Sequence, residues 1–337
     1  MSPEVIVATL PVLVINPHSR CNCRCAMCDI WKSGTVQEIG PEDLERQLGS
    51  IERLRVEWVV FSGGEPLMHS DLWRLSAMLR ERNIRITLLS SGLLLGKHAE
   101  TIVSHVDDVI LSLDGPRDVH NAVRGVPRAF ELLTAGVARI QGIDPRFPIS
   151  ARCTVQRLNF HRLMATADSA RDLGLDSISF LAADMDSTAF RRPDGWLPEK
   201  QQQIALRAEE VMRLEEEIEA LVGRGECGSF VRESPARLRK IVHHFRVHLG
   251  KATPVSPLCN APWVSCVIES DGSVRPCFFH APLGNLRAAP LEQILNGPQA
   301  TAFRQTLDVA TNPICRKCVC SLNWKPAALK VENAGVR

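Results

Sequence analysis

Residues 21–28 read Cys21-Asn22-Cys23-Arg24-Cys25-Ala26-Met27-Cys28. Within them Cys21, Cys25 and Cys28 stand in C-x3-C-x2-C spacing, just after the apolar run Val12-Leu13-Val14-Ile15-Asn16. That run predicts a short buried strand with the cysteines on the loop that follows it. Three thiolates on one loop can hold three irons of a cubane 4Fe–4S cluster and leave the fourth iron open. The competing reading is a zinc knot with Cys23 as the fourth sulfur, because structural zinc usually takes four protein ligands.

A second apolar run, Val56 to Val60, leads into Phe61-Ser62-Gly63-Gly64-Glu65-Pro66. Paired glycines let a backbone approach a ligand closely, and a carboxylate after them can grip an ammonium group. The cysteine loop after one strand and this glycine-rich segment after the next together resemble the radical S-adenosylmethionine (SAM) superfamily, over roughly residues 10 to 183. The resemblance implies that Cys21, Cys25 and Cys28 hold a cluster whose open iron takes the amino and carboxylate groups of SAM. It further implies that Gly63, Gly64 and Glu65 steady the methionine ammonium. Met27 stands where many members carry an aromatic residue, and a polarizable thioether also packs on a flat ring.

The whole chain sets the bounds. Its 337 residues suggest two domains, or one with an appendage, and 45% hydrophobic content is ample for a core. A formal net charge of +2 gives no case for a nucleic-acid or membrane-surface partner. Residues 1–16 lack a basic n-region and contain Pro3 and Pro11, which predicts neither a signal peptide nor a membrane span. Twelve cysteines without a secretory signal point to metal or redox chemistry in the cytoplasm rather than to disulfides.

From 12 to 182, strand-like and helix-like segments alternate. Helices are expected over Pro41 to Leu54, Asp71 to Arg82, His98 to His105, Arg128 to Ile140 and His161 to Leu173. Strands are expected at Val56–Phe61, Ile84–Leu89, Val109–Leu113, Ile149–Val155 and Ser177–Leu181. Strands apolar on both faces with crossover helices predict an α/β fold with a covered parallel sheet. Six such units fit the open, partial βα barrel of the radical SAM family, with the ligand site at the carboxyl ends of the strands. The resemblance assigns a SAM contact to Ser112, in the segment Leu111-Ser112-Leu113-Asp114-Gly115-Pro116. It places Leu181 along the adenine and makes Arg152 a bidentate partner for the methionine carboxylate. Asp114, His120 and Arg124 are candidate catalytic residues, the last two in a run common in the subgroup with an extra C-terminal domain. Their alternative role is to hold the loop by hydrogen bonds.

Residues 184–255 read as a helical connecting segment between a barrel over 1–183 and a cysteine-rich domain over 256–325, with a mobile tail over 326–337. Glu199 to Val222 is expected as one helix whose stripe of Ile204, Val211, Leu214, Ile218 and Leu221 packs on the protein's own body. Ser234 to Leu249 is a second helix, capped by Ser234 with Pro235 in its first turn. His243, His244 and His248 read as surface histidines, since no carboxylate stands at metal-motif spacing.

The second cysteine group comprises Cys259, Cys266, Cys277, Cys315, Cys318 and Cys320. Asp271-Gly272 between two apolar runs is a hairpin signal. Cys259, Gly272 and Cys277 resemble the opening of the SPASM and twitch domains, which carry auxiliary clusters. That likeness implies one auxiliary 4Fe–4S cluster on Cys259, Cys277, Cys315 and Cys318, with structural zinc as the alternative. Cys266 and Cys320 remain as spare thiols and as candidate hydrogen-atom donors.

The resemblance implies reductive cleavage of SAM to a 5′-deoxyadenosyl radical, which takes a hydrogen atom from substrate. The cofactors carry the hard chemistry and the protein supplies position. The expected reaction is oxidation of a small molecule, a sugar or cyclitol, as in aminocyclitol-oxidising twitch dehydrogenases, with the auxiliary cluster accepting an electron. An electron donor such as flavodoxin or ferredoxin is the expected partner. Alternatives are epimerisation, peptide modification and a non-catalytic iron–sulfur or zinc protein. Phe278 stands where sulfatase maturases carry an aspartate, which argues against formylglycine formation.

Overall fold

The computed structural model describes residues 5–192 and 194–325. Its frame is a single sheet of nine strands: β1 (Val12–Ile15), β2 (Trp58–Phe61), β3 (Arg85–Ser90), β4 (Asp108–Ser112), β5 (Ile149–Val155), β6 (Ser177–Ala182), β7 (Ser265–Ile268), β8 (Ser273–Arg275) and β9 (Gly284–Asn285). The order across the sheet is β6-β5-β4-β3-β2-β1-β7-β8-β9. Strands β1 to β6 pair in parallel, as the crossover pattern requires, and the two edge strands, β6 and β9, do not pair, so the barrel stays open.

The strands are not apolar on both faces. Val59, Phe61, Ile86, Leu88, Val109, Leu111, Ile149 and Ala151 are buried to 1% exposure or less beneath the helices. Their neighbours Val60, Leu89, Ile110 and Arg152 are only half-buried and face a cavity. This is ordinary strand alternation, with one face on the core and the other lining a lumen. Burying each large aliphatic side chain on the core face contributes roughly 1.5–3 kcal/mol.

Strand β7 joins the six parallel strands on the β1 side. It pairs in parallel with β1, Leu13 against Cys266 and Ile15 against Ile268, before the hairpin turns back through β8. The cysteine-rich segment is therefore hydrogen-bonded to the strand that launches the first cysteine loop.

In the connecting segment the expected single helix is two, Pro198–Ile204 and Ala208–Gly223. Ala205 turns extended, and Ala205 and Leu206 are buried at 6% and 1% exposure, so tertiary packing overrides helical propensity there. The stripe Ile204, Val211, Leu214, Ile218 and Leu221 is buried in the protein's own core. His243 and His244 spend a ring nitrogen each on the carbonyls of Thr253 and Ala183, at 2.9 and 3.1 Å. The tail expected over 326–337 lies outside the described residues.

Candidate functional site

The first cysteine loop leaves β1 at Ile15 and is pinned on three sides. Beneath it, the amide of Glu65 donates to the carbonyl of Arg20 at 2.9 Å. A side chain at 64 would put its Cβ 2.0 Å from that carbonyl oxygen, so only glycine lets the two backbones meet. The glycine pair thus serves the approach of the cysteine loop itself, beyond the ligand approach expected of it.

On the second side stands the helix Arg117–Arg124. Its last carbonyls, on Val123 and Arg124, accept the amides of Ala26 and Arg24 at 3.1 and 2.9 Å. These are orphan acceptors of a helix end, satisfied by the cysteine loop. On the third side Ser91 Oγ, after β3, lies 3.0 Å from the Asn22 side-chain amide.

Glu65 is turned inward. It is 0% exposed, and its carboxylate accepts from the amides of Leu67 and Ser91 and the hydroxyls of Ser90 and Ser91, at 2.5–3.1 Å. Burial holds its carboxyl above the usual range, against these hydrogen bonds. Through these donors the carboxylate braces β2 against β3. Ser90 and Ser91 were missed in the sequence, where their only signal is two hydroxyls at the carboxyl end of a strand.

The four thiols of the loop differ. Cys23 is 1% exposed, and its thiol is held far above its ordinary value chiefly by hydrogen bonding to Cys21 and Cys25. Cys25 is lowered to about 7, first by Cys23 and then, against burial, by the guanidinium of Arg124. Cys28 is pushed up to about 12 by burial. Arg124 Nη1 lies 3.5 Å from Cys25 Sγ, and Arg124 Nη2 pairs with Asp114 at 2.5 Å.

Asp114 and His120, the expected catalytic candidates, are both 0% exposed. Asp114 Oδ1 accepts the Thr154 amide at 3.0 Å, and His120 Nδ1 accepts the Asp114 amide at 3.3 Å. Burial lowers His120 to about 3, so its ring is neutral. With Arg124 they form a buried network behind the cysteine loop, out of reach of a substrate.

Ser112, Arg152 and Leu181 do come together on the open face of the sheet. Ser112 lies beside Arg152 across β4 and β5, and Leu181 sits beside Thr154 across β5 and β6. Arg152 Nε donates to Ser179 Oγ at 3.2 Å and reaches a cavity of about 240 Å³. Val14, Trp58 and Val60 line the sheet side of this cavity.

Cys259, Cys277, Cys315, Cys318 and Cys320 line its other side. Burial raises the thiols of Cys277, Cys315 and Cys318, Cys315 to about 11, and neighbouring thiols add to each. His280 Nε2 is 3.4 Å from Cys315 Sγ. Asn260 ties the segment down by accepting from the Trp324 amide and donating to its carbonyl, at 2.8 and 2.7 Å. Cys266 falls out of the group. It sits one residue off the cavity-lining Ser265 and Val267 on β7, so alternation turns its thiol into the core, at 0% exposure. It cannot donate a hydrogen atom to anything in the cavity. Cys320 is exposed, and its amide lies 3.4 Å from Cys318 Sγ.

Residues 184–192 and 194–197 bridge the two cysteine groups. Trp196 Nε1 donates to Asp29 Oδ2 at 2.7 Å beside Cys28, and Phe190 stacks on Phe278 beside Cys277 with ring centroids 6.5 Å apart. Arg192 pairs with Asp184 and lies over the Trp196 ring at 4.3 Å.

The family model of the radical SAM superfamily matches residues 15–182, and that of the SPASM iron–sulfur cluster-binding domain matches residues 259–319. The chain belongs to the radical SAM superfamily. Its SPASM domain is the cysteine group across the cavity.

Among relatives, Fe-coproporphyrin III synthase of Methanosarcina barkeri is 25% identical over 84% of this chain and 73% of its own. PqqA peptide cyclase of Ruegeria pomeroyi is 24% identical over 82% and 70%. In structure, Streptococcus suis SuiB bound to S-adenosylmethionine matches with TM-score 0.65 and 16% identity, over 94% of this chain and 74% of that one. The enzyme anSMEcpe with bound AdoMet matches with TM-score 0.61 and 19% identity, over 89% and 84%. These structural likenesses carry the open parallel fold.

The cofactors of this radical SAM enzyme are accordingly SAM, a 4Fe–4S cluster and auxiliary iron–sulfur in the SPASM domain. The residues fit them. Three thiols share one loop, with Cys25 drawn toward the thiolate, and the auxiliary thiols gather on one wall. Among the described residues no helix is long and apolar enough to cross a membrane.

Proposed function

We propose that this radical SAM enzyme modifies a side chain of a peptide. The bound cluster and SAM supply the radical that removes a substrate hydrogen atom. The observation that carries the reading is the cavity between the open sheet face and the SPASM thiols. This cavity, of about 240 Å³, lies between Arg152 and the open sheet face on one side and the SPASM thiols on the other. In this reading one side chain of a larger molecule reacts there. The match to a peptide cyclase through both domains supports this, and the expectation of a free sugar or cyclitol recedes.

In this reading Cys259, Cys277, Cys315 and Cys318 would hold one auxiliary cluster, which would supply an electron acceptor beside the substrate. Arg152 orients a carboxylate, either that of SAM or one on the substrate. A one-electron carrier of the flavodoxin or ferredoxin type reduces the first cluster.

A second reading is a carboxylate-bearing tetrapyrrole. It is favoured by the match to Fe-coproporphyrin III synthase and by Arg152 in an otherwise apolar lining. The test is SAM cleavage by the reconstituted enzyme with three probes: a precursor peptide encoded beside its gene, coproporphyrin, and an aminocyclitol. Peptide-stimulated 5′-deoxyadenosine, with a matching mass change in the peptide, supports the first reading. Stimulation by coproporphyrin or the aminocyclitol alone overturns it.

A further inference from the structure

We propose that Arg124 sets the reduction potential of the cluster on Cys21, Cys25 and Cys28 through its hydrogen bond to Cys25 Sγ. The inference rests on membership of the superfamily and is independent of the substrate.

Arg124 is 7% exposed, and its guanidinium has two partners, Cys25 Sγ at 3.5 Å and Asp114 at 2.5 Å. The first distance is that of an N–H donor on sulfur. The backbone keeps it fixed, because the helix that carries Arg124 also holds the amides of Arg24 and Ala26 on either side of Cys25. Gly125 closes that contact. Its φ is +61°, and a Cβ there would stand 2.6 Å from the carbonyl oxygen of Arg24. Asp114 is fixed in turn by the Thr154 amide, so donor, sulfur and counter-charge form one rigid set.

A reduced cluster carries one more negative charge than an oxidised one, shared with its thiolate ligands. A cationic donor on such a sulfur, shielded from water, stabilises the reduced form more than the oxidised form. Hydrogen bonds to the sulfurs are among the levers that set cluster potentials. Arg124 therefore raises the potential, and Asp114 offsets part of the rise. Arg124 is a positioning residue of the cluster, which explains why its side chain is aimed away from the substrate cavity.

The test is the midpoint potential of this cluster, followed by EPR in the SAM-free reconstituted enzyme. Arg124→Gln is expected to lower the equilibrium constant for one-electron reduction about tenfold, a fall of about 59 mV for a one-electron couple. Arg124→Lys keeps the charge and should recover most of that fall. Asp114→Asn leaves the guanidinium in place and should move the potential the other way, upward. The auxiliary cluster should not shift in any of them. Should Arg124→Gln fail to take up its cluster, Asp114→Asn decides: an upward shift supports the assignment, and an unchanged potential overturns it. Lower melting temperature and occupancy in all three variants, with no directional change in potential, would reduce Arg124 to a brace and overturn it as well.

Discussion

The Glu65 carboxylate accepts both the amide and the hydroxyl of Ser91, at 2.7 and 2.5 Å, and so joins the glycine-rich turn after β2 to the end of β3. Removing it strands four donors in a site with no water access. Glu65→Ala should therefore cost about 3 kcal/mol or more of stability and loosen the cysteine loop above it. Calorimetry and SAM titration, run together, check this. The expected result is a large fall in melting temperature that accompanies weaker SAM binding. A weaker SAM affinity at unchanged stability would put the carboxylate on the ligand after all.

His120 gives a pH dependence. Its folded value is lowered to about 3 from 6.5, so below pH 6.5 the unfolded chain binds a proton that the folded chain refuses. Its contribution is complete above pH 6.5 and is lost as pH falls toward 3. Between pH 7 and 5 the loss is about 2 kcal/mol. His120→Gln should flatten that part of the stability profile relative to wild type, in denaturant titrations at the two pH values. Equal slopes for the two proteins would contradict a buried neutral imidazole.

Cys23 sits among the ligand thiols yet is turned inward at 1% exposure. Cys23→Ala should retain iron, the EPR signal of the cluster and SAM cleavage, with a stability loss of about 1 kcal/mol for a small cavity. Loss of the cluster in Cys23→Ala would make it a ligand and revive the four-sulfur reading of the loop.

Cys315 lines the cavity opposite the open sheet face. If the auxiliary cluster takes the substrate's electron, Cys315→Ala should still make 5′-deoxyadenosine while oxidised product per 5′-deoxyadenosine falls several-fold. A parallel fall in both, with a lower melting temperature, is the outcome for a cluster that only braces the fold. A wild-type product isomeric with substrate would replace oxidation by epimerisation.

The cysteine loop, the glycine-rich turn and six parallel strands were legible because local chemistry dictates them: ligand spacing, paired glycines, short apolar runs between helical stretches. Strand Ile149–Val155 was placed to the residue. What escaped depends on contacts distant in sequence. No local signal tells Ser265–Ile268 to pair with Val12–Ile15, since register across a sheet is set by packing. The break at Ala205 and Leu206 carries no glycine or proline and exists because those two side chains are buried. Asp114, His120, Arg124 and Cys266 were visible as chemistry-bearing residues. Which way each points is a property of the folded backbone, and it turned all four away from the cavity between the two cysteine groups.

The most direct measurement is anaerobic metal analysis with a SAM-cleavage assay on three proteins: wild type, the variant with Cys21, Cys25 and Cys28 changed to Ala, and the variant with Cys259, Cys277 and Cys315 changed to Ala. With two cubane clusters on separate thiol sets, wild type should hold about eight irons and each variant about four. Dithionite and SAM should yield 5′-deoxyadenosine only where the first set is intact. Continued cleavage of SAM by the first variant, or zinc in place of iron on the second set, would contradict the division of one SAM-cleaving centre and one auxiliary centre across the cavity.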